Sequence, residues 1–181
     1  NNKKYMDILN NIMNNKEYKI KNICDIGCGD WKFSQYMDFS EFKYLGIDCV
    51  ESVINENKEN FQKKNINFLH KSVEDDFIPK GYDLIILKDV IQHWTDYDIM
   101  KYLPKILDNN KYVFITNGYR FMRDPSKNSL MKRDINNQYK YHPVDIEKQP
   151  LCEFKEYCLQ TDEYFSKQMN LFYKPQLLSI N

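Results

Sequence analysis

Five short apolar runs set at intervals along the chain constrain its fold more than any other feature. Asn22–Ile26, Tyr44–Ile47, Ile66–Leu69, Tyr82–Leu87 and Lys111–Thr116 are each four to six residues long, the length of buried strands. Helical spacing separates several of them. Trp31–Met37 reads as one helix and Glu51–Phe61 as a second, turning Val53, Ile54 and Phe61 inwards. Ile99–Leu107 reads as a third in spite of Pro104. Ahead of the first strand, Tyr5, Ile8, Leu9, Ile12 and Met13 form an amphipathic stripe. The unbroken Leu84-Ile85-Ile86-Leu87 suits a strand covered on both faces, as in a parallel sheet. Strands joined through helices require right-handed crossovers, so the expected fold is α/β, a single doubly wound and mostly parallel sheet. Glu153–Cys158 and Lys167–Tyr173 supply two further adjacent strands, which makes the C-terminal strand antiparallel. Periodicity fails from Asn117 to about Pro150, a stretch long enough to be a substrate or lid loop. No linker or internal repeat divides residues 1–181.

With 29% charged, 42% hydrophobic and 15% aromatic residues, the 181-residue chain has the composition of a folded domain. No run reaches the roughly 18 apolar residues of a membrane span, and no signal-peptide order opens the chain. Its 26 basic residues balance its 26 acidic ones, which argues against nucleic acid or an anionic membrane as a partner. Five cysteines, an odd number, with Cys24, Cys28 and Cys49 beside apolar strands, point to buried free thiols in a reducing compartment. Their spacing fits no zinc pattern, so no metal is expected. The 23 Lys, 20 Asn and 18 Ile against 3 Arg and no Ala reflect an AT-rich genome. The expected location is the cytoplasm, that of the host if the gene is viral. A first residue of Asn leaves room for a companion domain in a longer polypeptide.

The chemistry-bearing motif follows the first strand. In Cys24-Asp25-Ile26-Gly27-Cys28-Gly29-Asp30-Trp31, the glycines permit a tight turn and a close backbone approach to a ligand. A helix beginning there would offer unpaired N–H groups to an anion. Asp48 ends the second strand 19 residues beyond Gly29, where an acid accepts both hydroxyls of a ribose. A dinucleotide fingerprint would need a third glycine where Lys32 stands. An ordinary strand-to-helix turn with Asp48 as an exposed cap is the plainer alternative. Asp25, Gly27, Cys28, Gly29 and Asp48 together resemble the first motif and second-strand acid of the class I S-adenosylmethionine-dependent methyltransferases. Tyr82-Asp83-Leu84-Ile85-Ile86-Leu87-Lys88-Asp89-Val90-Ile91-Gln92-His93-Trp94 is similar to the family's fourth strand and the segment after it. The resemblance covers roughly residues 20–116 and implies a Rossmann-like methyltransferase domain with S-adenosyl-L-methionine as cofactor. It further implies cofactor binding by Asp25, Gly27, Cys28, Gly29, Asp48, Cys49, Ser72, Val73 and Lys88. Many members carry an acid at the adenine where this chain has Ser72. Trp31 is assigned to the core.

Methyl transfer from a sulfonium is an in-line displacement that needs alignment and exclusion of water. A hydroxyl acceptor gains a further factor of about 10² to 10⁴ from a general base. Asp89 and His93, four apart at the expected start of a helical turn, would share one face, His93 as base and Asp89 as its orienter. The alternative is that His93 and Trp94 only pack the cleft. His142 is a second candidate base, and His70 reads as a structural strand end. All three arginines, Arg120, Arg123 and Arg133, fall in the aperiodic stretch, and residues 118–142 carry a net +4. Arginine forks grip phosphate or carboxylate at two points, so Arg120 and Arg133, with Tyr119 and Tyr141, are assigned to an anionic substrate; a solvated loop is the bland reading. The nucleobase N-methylation turn is missing after Lys88. The lysine-rich tetrad of RNA-cap ribose methylation is not excluded by spacing. The stretch from Lys88 to His93 and the late Tyr141–Ile146 element resemble small sugar- and polysaccharide-modifying O-methyltransferases. The expected acceptor is therefore a small anionic molecule, a nucleotide-linked sugar or glycan. The alternatives are an RNA or protein methyltransferase, or a non-catalytic S-adenosylmethionine-binding module.

Overall fold

A computed structural model of the chain describes residues 3–75, 77–118 and 144–175, Glu74 without its side chain. Strands β1 (Asn22–Ile26), β2 (Lys43–Asp48), β3 (Ile66–His70), β4 (Leu84–Lys88), β5 (Tyr112–Gly118), β6 (Cys158–Tyr164) and β7 (Lys167–Tyr173) form one sheet. Their order is β3-β2-β1-β4-β5-β7-β6. The first five strands are parallel, and β7 runs antiparallel to both β5 and β6. This is the single doubly wound, mostly parallel sheet with an antiparallel C-terminal strand expected from the sequence. Chain order reverses between β1 and β4, and the cleft above the carboxyl ends of those two strands is where open α/β sheets take ligands.

Two apolar layers sandwich the sheet. On one face, α1 (Lys3–Asn14) buries Tyr5, Leu9, Ile12 and Met13, the stripe its spacing predicts, and Tyr5 stacks on Phe114 with ring centroids 5.9 Å apart. Helix α2 (Glu51–Phe61) shares that face through Ile54. On the other, α3 (Asp96–Asn109) buries Ile99, Tyr102, Leu103, Ile106 and Leu107. Thr95 starts α3 with a capping box: its hydroxyl accepts the Asp98 N–H at 3.2 Å while Asp98 accepts the Thr95 N–H at 3.0 Å. This anchor and the apolar face carry α3 through Pro104.

Two expectations are corrected. Residues 31–37 do not form a helix; one 3-10 turn spans Ser34–Tyr36. Trp31 stands at φ 52°, which a right-handed helix forbids, because its ring is drawn into a cluster with Phe39, Tyr44, Phe61 and Phe68 at 5.3 to 5.9 Å. Aromatic burial outweighs one turn of helix. Leu151–Tyr157 is likewise a 3-10 helix, burying Leu151 and Phe154 three residues apart, and β6 starts only at Cys158. Strand β5 runs on through Gly118, two residues past its predicted end, because β7 pairs with it to the Gly118–Lys167 position.

Candidate functional site

The loop after β1 is held by backbone hydrogen bonds to β2 and by hydrogen bonds with neighbouring side chains. The N–H groups of Gly27 and Cys28 both donate to the Ile47 carbonyl, at 2.7 and 3.0 Å. Gly27 has φ 73°, and a Cβ on it would lie 2.5 Å from Val90 Cγ2, so the loop packs against the turn after β4. Gly29 has φ 58°, and its Cβ would meet nothing within 4 Å. It presents bare backbone towards open space. On the opposite side, the fully buried Asn57 of α2 donates its Nδ2–H to the Gly29 carbonyl at 2.7 Å. Gly46 on β2 leaves space that Phe68 and Cys28 fill, since a Cβ there would stand 2.8 Å from Phe68 Cδ1 and 2.9 Å from the Cys28 sulfur.

Asp48 ties this loop to the end of β2. Its Oδ2 accepts the Gly29 N–H at 3.0 Å and its Oδ1 the Val50 N–H at 2.9 Å. An ionised carboxylate has about four acceptor positions, so roughly two remain for a ligand. The Asp48 carbonyl accepts the Lys71 N–H at 3.1 Å, which brings half-buried Ser72 and buried Val73 alongside. His70 Nε2 donates to the Cys49 carbonyl at 3.0 Å, in keeping with a structural strand end. All five cysteines are free thiols; of the three expected to be buried, Cys24 is, whereas Cys28 is half-buried and Cys49, which follows the last residue of β2, is exposed.

Asp25 lies beneath the loop and is 6% exposed. Its Oδ2 accepts the Tyr44 hydroxyl at 2.7 Å, while its buried Oδ1 has no hydrogen-bond partner. Burial pushes its carboxyl up to about 7, against the lowering by the Tyr44 hydrogen bond and the Lys88 charge. Burial likewise raises the Cys28 thiol, with Asp25 and Asp48 adding to the effect, which keeps it protonated.

Past β4 the chain turns sharply. Asp89 has φ 61°, and a 3-10 turn covers Ile91–His93. The continuous helical turn expected to stack Asp89 and His93 is not formed, because positive φ at Asp89 breaks it. The Asp89 carboxylate instead accepts from Lys88 Nζ at 3.1 Å and from Lys167 Nζ on β7. His93 is exposed beside the cleft, whereas Trp94 is buried against Tyr102, ring centroids 5.7 Å apart, on the α3 face. The structure thus gathers Asp25, Gly27, Cys28, Gly29, Asp48, Lys88 and Asp89 around the switch point. Tyr119, Arg120, Arg133, Tyr141 and His142 lie outside the described residues.

A family model described as a methyltransferase domain matches residues 18–172. The chain belongs to this methyltransferase-domain family. It is an S-adenosylmethionine-dependent methyltransferase by that membership. Similar solved structures include the methyltransferase domain of bacterial CtHen1, with TM-score 0.66 and 18% identity over 95% of this chain and 97% of that one. Magnesium protoporphyrin IX methyltransferase from Synechocystis PCC 6803, solved with bound SAM, gives TM-score 0.63 and 13% identity, covering 95% and 79% of the two chains. WbdD gives TM-score 0.66 and 17% identity over 96% of this chain, which spans only 41% of the WbdD chain. At such identities the likeness is one of fold. No curated protein matches the sequence.

Several residues of this methyltransferase site escape a reading of spacing alone. Asn57 was legible in principle, as a polar residue three positions from Ile54 on the inward stripe of α2. Tyr44, the partner of Asp25, reads as an ordinary strand aromatic. Gln92, which accepts the Gly118 N–H at 3.0 Å, is hidden within the motif around His93. Lys167 is 78 residues from Asp89, and no local signal connects them.

Proposed function

We propose that the chain transfers a methyl group from S-adenosylmethionine to a hydroxyl of a small anionic acceptor, a nucleotide-linked sugar or glycan. The observation that carries the donor half is the Asp48 carboxylate hydrogen-bonded to Gly29, with acceptor capacity to spare and open space over the glycine. These residues fit an adenosyl group: Asp48 would hold ribose hydroxyls, Gly27–Gly29 would accept close approach, and Cys49, Ser72 and Val73 would border the base. Asp25, with an unpartnered buried oxygen, and Lys88 would complete the floor. When bound, the cofactor supplies a methyl group already activated on a sulfonium, so the protein need only orient, desolvate and deprotonate. His93 takes the hydroxyl proton in this reading. Asp89, bonded to two ammonium groups, is a positioning group rather than a base.

The acceptor half is supported by the three arginines and net +4 within residues 118–142. Five free thiols support a reducing compartment, the cytoplasm. Among the described residues no helix is long and apolar enough to cross a membrane. The test is methyl incorporation from radiolabelled donor into a panel of nucleotide-linked sugars, free sugars, RNA and peptide. Labelling of a nucleotide-linked sugar but not of its neutral free sugar is expected. Labelling of RNA or peptide alone would overturn the acceptor assignment.

A further inference from the structure

On the α1 face, the carboxyl ends of β4 and β5 and the start of the antiparallel β7 lie in a lateral row. Lys88 and Thr116 are cross-strand partners, as are Thr116 and Met169. Lys167 stands two residues before Met169 on β7, hence on the same face. Asp89 bridges the row, accepting from both lysines. The Lys88 ammonium also lies 5.7 Å from the ring centroids of both Tyr5 and Phe33.

Three observations separate this cluster from a solvated ion pair. The side chains of Lys88, Asp89 and Lys167 are only 31%, 28% and 37% exposed, yet two positive charges face one negative one. Each ammonium has three N–H donors and gives one to Asp89, so donors exceed acceptors in a partly desolvated site. Thr116, 4% exposed between the two lysine-bearing strands, has a buried hydroxyl with no hydrogen-bond partner. Asp25, a further carboxyl within electrostatic reach of Lys88, is held up to about 7 by burial, so it offsets the second ammonium only in part at neutral pH.

We infer that Lys167 and Thr116, with the Lys88 ammonium at the border with the cofactor floor, form an oxyanion-binding subsite for the acceptor, receiving a phosphate or carboxylate group beside the methyl-transfer cleft. The inference rests on the proposed methyl transfer for assigning that oxyanion to the acceptor. Asp89 keeps the two ammonium groups together while the subsite waits for its ligand. Such a subsite explains why a lysine distant in sequence converges on the residue that follows β4.

The test is calorimetric titration of the full chain, first saturated with S-adenosylhomocysteine, with sodium pyrophosphate or sodium glucuronate at constant ionic strength. One of the two oxyanions should bind with one-to-one stoichiometry, and which one identifies the acceptor's group. Lys167→Met should weaken it about tenfold or more. Thr116→Val should weaken it several-fold with its melting profile retained, which keeps the test valid if Lys167→Met misfolds. Lys174→Met, removing an ammonium paired with Asp108, should leave the affinity unchanged. Absence of binding by both oxyanions, or wild-type affinity in folded Lys167→Met, overturns the subsite. So does a loss confined to S-adenosylhomocysteine affinity in Lys167→Met, since the ligand would then be the cofactor's own carboxylate. Failure of the methyltransferase reading shows separately, as absence of S-adenosylhomocysteine binding in the first step.

Discussion

Replacing Gly27 by alanine should be costly for two separable reasons. The residue sits at φ 73°, and left-handed backbone costs a non-glycine residue about 1–2 kcal/mol. Its new methyl would also stand 2.5 Å from Val90 Cγ2, an overlap of the overpacking kind, worth about 1–3 kcal/mol. Gly27→Ala should therefore lose about 2–5 kcal/mol in urea unfolding. Val90→Ala removes Cγ2 and leaves the Val90 Cβ 3.7 Å away, an ordinary contact. In that background the same glycine replacement should cost only the backbone share, about 1–2 kcal/mol. The double-mutant cycle should thus show a coupling of about 1–3 kcal/mol, while independent sites add to within about 0.5 kcal/mol. An additive cycle would refute the claim that the cofactor loop is seated on the turn carrying His93. Gly29→Ala is the contrast. At φ 58° with nothing within 4 Å, it should cost only the backbone share in stability, yet its methyl would occupy the space proposed for the ligand. A drop in S-adenosylhomocysteine affinity well beyond the loss of stability is expected; wild-type affinity would mean that no ligand approaches there.

Asp48→Ala removes one charge-assisted hydrogen bond to the loop, from the Gly29 N–H, and one to the start of α2, from the Val50 N–H, as well as the proposed ribose contacts. Cofactor affinity should fall by about 2–3 kcal/mol in calorimetry, and unchanged affinity would remove the ribose role. Asp25 titrates near 7 when folded against about 4 when unfolded, so the folded state binds the extra proton between those values. Stability should accordingly fall as pH rises from about 4 to 7, by up to about 4 kcal/mol, and level off above. Asp25→Asn should abolish that slope and be the more stable protein at pH 8; an unchanged slope would assign the proton elsewhere. His93→Ala should lower kcat about 10² to 10⁴-fold with cofactor affinity preserved, and full activity would reduce His93 to packing.

Parallel strands are the most legible part of this fold, because Leu84–Leu87 is apolar on both faces and only a doubly covered sheet accommodates it. The Gly27–Gly29 loop and Asp48 were legible for a related reason: each sits at a strand's end, where spacing along the chain translates directly into spacing across neighbouring strands. Residues 31–37 misled because the burial of Trp31 is decided by aromatic partners on β2, β3 and α2, distant in sequence, and not by local spacing. The Asp89–His93 pair failed on geometry, since a spacing of four means a shared face only inside a helix. The lysine arrangement around Asp89 could not be read locally, because antiparallel pairing of β7 with β5 brings Lys167 there from the far end of the chain.

The most direct test of the account is a crystal structure of the chain grown with S-adenosylhomocysteine. The account predicts the adenosine ribose on the free acceptor positions of Asp48 and the remainder of the molecule lying along Gly27–Gly29. Density for the compound anywhere other than the cleft between β1 and β4, or an Asp48 carboxylate turned away from it, would contradict that claim.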